Sequence, residues 1–167
     1  MIAMMTHARF FFVGLLSLTL GCAAGISSQT RSQVTYNGPF SALQGAPQRY
    51  VGEVVLLGGK IIETKPSSGT SEITILQLNL DSQVRPEDND RSEGRFVVKV
   101  GQFLDPAIYK PGALFSLVGR VTGSEIRPVG EVNYVYPVLQ ALEIKLWSEP
   151  ARTSPSFHFG IGIGTWF

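Results

Sequence analysis

The chain has one cysteine, Cys22, and two histidines, His7 and His158, in 167 residues. A lone thiol excludes an internal disulfide, so any folded part is held by its core alone. No Gly-x-Ser-x-Gly elbow accompanies the serines, and no glycine-rich phosphate loop is present. Charge of neither sign dominates, with 14 Lys and Arg against 13 Asp and Glu. No basic patch points to nucleic acid. No apolar run reaches the roughly 20 residues that a spanning helix needs.

What is present begins at the N-terminus. Residues 1–21 have the three parts of an export signal. His7 and Arg9 precede an uncharged run, Phe10 to Leu20, and small residues follow it. As a helix that run spans only about 16 Å, too short to cross a bilayer. Thr19 and Gly21 satisfy the small-residue rule of ordinary secretory cleavage. The sequence Leu18-Thr19-Leu20-Gly21-Cys22 resembles a lipobox, whose peptidase cuts just before a lipid-modified cysteine, and the position of Cys22 favours that reading. Acylation also accounts for an otherwise partnerless thiol in an exported protein. The expected modification is a covalent diacylglycerol and an N-acyl chain on Cys22, with no other cofactor and no metal. Two or more chains hold stably where one does not. Ala23 lacks the aspartate associated with inner-membrane retention, which points to the outer membrane. Removing residues 1–21 takes away Arg9 and no acid, so the mature chain carries equal numbers of basic and acidic residues.

Residues 22–49 are rich in Ser, Gln, Gly and Pro and read as a lipidated, flexible tether, with Phe40 and Leu43 as the residues able to dock. Residues 50–149 read as the domain. Strands are expected at Val51 to Thr64, Ser71 to Asp81, Arg95 to Val100, Leu114 to Val121 and Tyr134 to Trp147. Gly58-Gly59 suggests a bulge or a corner in the first strand. In the second strand the apolar phase slips between Ile75 and Leu76, which points to another bulge or to burial on both faces. Val97 is the one apolar residue out of phase in the third. Asp105 is a suitable N-cap and Pro106 a suitable first residue for a short helix before the fourth strand. Gly123 to Glu131 reads as a turn-rich loop. The expected class is all-β with one short helix. The strand order is that of a small five-stranded OB-like β-barrel, with an open sandwich or roll as the alternative.

Residues 150–167 form a tail in which Phe159, Ile161 and Ile163 alternate with glycines before Trp166-Phe167. The pattern resembles the last strand of an outer-membrane barrel, but one strand cannot make such a barrel. A flap over the domain, a strand docking a partner or a contact with the bilayer is expected instead. Glu87, Asp88 and Asp90 are close enough in sequence to hold a hard cation. Arg85, Arg91 and Arg95 interleave with them, so a solvated loop is the better reading. His158 reads as a surface residue. Tyr109, Tyr134, Tyr136 and Trp147 are the candidates for a ligand-binding face of the barrel.

From Tyr50 to Trp147 the chain resembles the Slp family of outer-membrane lipoproteins, the starvation-induced lipoproteins of Gram-negative bacteria. The resemblance is carried by Tyr50-Val51-Gly52, Gly58-Gly59-Lys60, Leu80-Asp81, Gly94-Arg95-Phe96 and Phe103-Leu104-Asp105-Pro106-Ala107-Ile108-Tyr109. It continues through Val118-Gly119-Arg120-Val121-Thr122-Gly123 and Tyr136-Pro137-Val138-Leu139 to Trp147. It implies a stress-linked outer-membrane lipoprotein, facing the periplasm or the surface, and brings no catalytic residues. Three functions compete: a non-enzymatic module binding an envelope protein, peptidoglycan or other glycan; a structural lipoprotein without a ligand; and, least favoured, a hydrolase using the loop acids.

Overall fold

Alternating apolar residues wrap five strands around one core in a computed structural model that describes residues 25–89 and 91–147. Residues 1–24, with Cys22, and the tail from Ser148 lie outside the described residues. The strands are β1 (Val54–Ser67), β2 (Thr70–Gln77), β3 (Arg95–Val100), β4 (Leu114–Val129) and β5 (Val132–Trp147). They close in the order β1-β2-β3-β5-β4, and β4 pairs back onto β1. Every ladder is antiparallel except β3 with β5, where Val97, Val98 and Lys99 face Val138, Leu139 and Gln140 in parallel. This is a closed five-stranded barrel in the OB order. Closure leaves no open sheet edge among these strands.

The interior is filled by every second side chain. Ile73 and Ile75 come from β2, Phe96 and Val98 from β3, Phe115 and Leu117 from β4, and Leu139 from β5. All of them are fully buried. One end is plugged by α2 (Phe40–Gly45), whose Phe40 ring lies 5.7 Å from that of Phe96. Leu43 on α2 is also fully buried.

Gly58 and Gly59 are explained by close approach and not by the expected bulge. The ladders run regularly through both residues. A Cβ on Gly59 would lie 1.9 Å from the Leu76 carbonyl oxygen, and one on Gly58 2.8 Å from that of Phe115. The β1 bulge falls later, between Ile61 and Glu63. The phase slip in the second strand has a different cause. β2 ends at Gln77, and Leu78 and Leu80 belong to the segment that follows it.

Three further expectations are corrected. The Asp105 region makes one turn and no helix. The Asp105 carbonyl accepts from the N–H groups of Ile108 and Tyr109, and its carboxylate from Ala107. Second, Gly123 to Val129 is not a loop but the continuation of β4. A tight turn at Gly130-Glu131, with Gly130 at φ +61°, joins it to β5. Third, the segment expected to be a flexible tether is folded against the barrel from Gly25 onward. It contains α1 (Ser28–Arg31), α2 and a 3₁₀ turn at Pro47–Tyr50. Ile26, Phe40, Leu43 and Pro47 in it are buried.

Because Gly59 meets backbone and not a movable side chain, Gly59→Ala is expected to destabilise by about 2–3 kcal/mol. Gly45→Ala, with nothing within 4 Å of the added methyl, should be neutral or stabilise by about 0.5 kcal/mol. Urea unfolding of both variants measures the difference.

Candidate functional site

The four candidate aromatic residues do not share a face. Tyr109 packs on the barrel core, with its ring 6.4 Å from Phe115. Tyr134 and Tyr136 stack edge to face at 4.9 Å on the outside of β3, over Val97. Trp147 stands apart on the outer face of β4 and β5. Its Nε1 donates to the Ser116 hydroxyl at 2.9 Å.

The position of the tyrosine pair follows from the long β4–β5 hairpin. Beyond Val121 the hairpin curls over the outer face of β3 and β2. Val129, Tyr134, Tyr136 and Val138 cover Val97, which is fully buried. The Tyr134 hydroxyl accepts from the Arg95 backbone N–H at 2.9 Å and from the Gln44 amide. Charge holds the same contact further along. The Arg127 guanidinium donates in bidentate fashion to Glu72 on β2, at 2.7 and 2.9 Å, and also to Glu125. Lys99 on β3 donates to Glu125 at 2.8 Å. Hydrogen bonds from Lys99 and Arg127 hold the Glu125 carboxyl below its usual 4.5. The bidentate bond to Glu72 raises Arg127 further. OB barrels bind oligonucleotides and oligosaccharides over strands 2 and 3. Here the chain's own hairpin lies on that face. The out-of-phase Val97 was the sequence signal for this cover.

A second cover lies over β1 and β4. Residues 78–89 cross the barrel, and Val84 packs with Ile26, Val54 and Val118 in a satellite core. Val84 is a β-branched residue at φ +66°, a conformation that costs about 1–3 kcal/mol and persists only where its surroundings enforce it. They do: the Asp81 carboxylate accepts from the N–H groups of Gln83 and Arg85, at 2.8 and 2.9 Å. The Val84 carbonyl in turn accepts from the Ser116 hydroxyl at 2.6 Å. The turn carries Arg85 to 5.5 Å from the Trp147 ring centroid, and Lys145 lies 5.6 Å from the same ring.

The N-terminal arm is fixed beside this turn. Ser27 caps α1 and donates to Glu143 on β5 through both its N–H, at 2.8 Å, and its hydroxyl, at 2.6 Å. Burial acts to raise the Glu143 carboxyl, but bonds from the Ser27 and Thr30 hydroxyls and the Ser27 N–H bring it below its usual value. Thr35 and Tyr36 then donate their N–H groups to the Val54 carbonyl.

The loop acids remain a dispersed set. Asp88 pairs with Lys60, and Glu87 accepts from the Asn89 amide. Asp90, Cys22 and His158 lie outside the described residues. Among the described residues, no three His, Cys, Asp or Glu side chains group so as to hold a metal ion. None of the described helices is long and apolar enough to cross a membrane.

Replacing Arg127 by Leu strands Glu72 beside Glu125, so a loss of about 1–3 kcal/mol is expected in urea unfolding. Glu125 is depressed in the folded state, so its contribution is present above the ordinary carboxylate range. It is lost as pH falls through the depressed value. The gap between wild type and Arg127→Leu should therefore narrow in acid.

The family described as "Outer membrane lipoprotein Slp family" matches residues 19–163, a wider span than the resemblance from Tyr50 to Trp147. The chain is 31% identical over 157 residues to "Uncharacterized lipoprotein YeaY" of Escherichia coli (strain K12), covering 89% of this chain and 81% of that protein. It is 28% identical over 141 residues to an "Uncharacterized protein" of Haemophilus influenzae, covering 83% and 75%. It is 25% identical over 134 residues to "Outer membrane protein Slp" of Escherichia coli (strain K12), covering 79% and 71%. With its lipobox-like start and its closed barrel inside one continuous match, this chain belongs to the outer membrane lipoprotein Slp family.

Proposed function

We propose that this outer-membrane protein is acylated at Cys22, is non-catalytic, and presents the β4–β5 hairpin to an envelope protein under starvation or stationary-phase stress. The hairpin carries the argument. Its inner face is fixed to β2 and β3 by Arg127, Tyr134 and Tyr136, whereas Ile126 and Val135, paired across the strands on the other face, remain 69 and 37% exposed and Val132 at the tip 65%. Apolar side chains held in place at the surface suit a protein partner better than a glycan. The face that an OB barrel offers to oligosaccharides is covered. The shallow groove beside it is lined by Lys65, Thr70, Glu72, Lys99 and Gln140. There Glu72 and Lys99 are already tied to Arg127 and Glu125, which favours binding over acid–base chemistry. Acylation is supported by a family match that starts three residues before Cys22. The stress role rests on the family resemblance.

Crosslinking in intact envelopes, followed by purification of the protein, tests the partner. The wild type should capture a reproducible envelope protein. The double change Ile126→Glu and Val135→Glu should reduce that capture at least about tenfold while leaving membrane fractionation unchanged. Capture unchanged by the double change would refute the hairpin surface. A wild type with no partner would favour a purely structural role.

A further inference from the structure

The docked arm leaves very little chain between the lipid and the barrel. Ile26 is only 5% exposed in its satellite core, and Ser27 is bonded to Glu143. Only residues 23–25 separate Ile26 from Cys22. Four Cα steps reach at most about 14 Å. A headgroup layer is about 5–8 Å deep on each side of a bilayer. An acylated Cys22 therefore keeps Ile26 at most about 6–9 Å beyond the headgroup layer.

The other end of the domain converges on the same place. A Cβ on Gly25 would sit 3.8 Å from the Gln83 carbonyl oxygen. Trp147, the last residue of β5, reaches Val84 through the Ser116 hydroxyl. The two described chain ends thus meet at the Gln83–Val84 turn. The side chains gathered there suit an interface. Trp147 is half-buried between the Arg85 guanidinium and the Lys145 ammonium. An indole flanked by cations matches the layer in which apolar and phosphate groups alternate. Beyond Trp147 the sequence from Thr153 to Phe167 contains no Asp, Glu, Lys or Arg and carries Phe157, Phe159, Trp166 and Phe167.

We infer that the pole formed by the Gln83–Arg85 turn, Lys145 and Trp147 rests on the phospholipid headgroups of the leaflet that holds the anchor. The barrel is thereby oriented on the membrane and does not swing on a leash. Lys145 meets lipid phosphates, and Trp147 lies at headgroup depth. This rests on the acylation of Cys22 proposed above.

The test uses full-length protein purified from membranes, with Trp166→Phe so that Trp147 is the only indole, in vesicles of phosphatidylethanolamine and phosphatidylglycerol. Mass spectrometry of the N-terminal peptide reports acylation. Lipids spin-labelled at the headgroup should quench Trp147 strongly. Aqueous iodide should quench it several-fold less than in the unacylated Cys22→Ser protein in solution. A companion protein with Ile126→Trp, Trp147→Phe and Trp166→Phe should show the reverse pattern, because its indole sits on β4 opposite Val135, at the end of the hairpin away from Trp147. Acylated protein whose Trp147 is open to iodide and untouched by the lipid label would overturn the orientation alone. An unmodified N-terminal peptide would overturn the acylation reading and the orientation with it.

Discussion

The Glu143 carboxylate receives the backbone N–H and the hydroxyl of Ser27, and the residue before Ser27 is buried against Val54, Val84 and Val118. A carboxylate bonded in this way is strongly held, because charge-assisted bonds are about twice as strong as neutral ones. Two partners 116 residues apart in sequence are thereby joined. The arm then continues along β1, where the Val54 carbonyl accepts from Thr35 and Tyr36, and it delivers α2 to the barrel mouth. Without the Glu143 contact the first described turn has no polar tie to β5, and the length of free chain next to Cys22 is no longer short.

Closure of the barrel imposes a second condition. Five strands leave an outer surface that is itself partly apolar, as Val97, Val118 and Val54 show. The chain covers that surface twice, with the β4–β5 hairpin over β3 and with residues 78–89 and the arm over β1 and β4. Both covers end in polar locks, one of Glu72, Arg127, Glu125 and Lys99, the other of Asp81, Ser116 and Trp147. Of the seven large apolar side chains exposed among the described residues, three, Ile126, Val132 and Val135, lie on this one hairpin.

Much of the barrel was legible in the sequence because period-two patterns survive wherever one face is buried. β3 occurs at the residues its alternation indicates, and the order of five strands holds. Bulges break that period. Leu142 is skipped where Gly119 faces Ala141 and Val118 faces Glu143, so Leu139 and Ala141 point inward ahead of it, and Ile144 and Leu146 after it. Gly123 to Glu131 looked like a loop because its polar residues suit one. Glu125 and Arg127 find their partners on β3 and β2, in Lys99 and Glu72, which no local pattern reports. The arm reads as a tether, with only Phe40 and Leu43 marked as able to dock, for a related reason. Ile26, Phe40 and Leu43 are too sparse for a periodicity, and each is buried only because a distant strand is there to receive it. The aromatic quartet failed as a single face because residue type alone does not say which side of a twisted, bulged strand a side chain takes.

Amide hydrogen exchange across residues 26–36 measures most directly whether the arm is part of the domain. Ser27, Thr35 and Tyr36, bonded to Glu143 and Val54, should be protected well above unstructured chain and should lose protection together with β1. Exchange of all three at the rate of a free chain would contradict the account, since the lipid would then hold the barrel on a long flexible tether and leave its orientation undetermined.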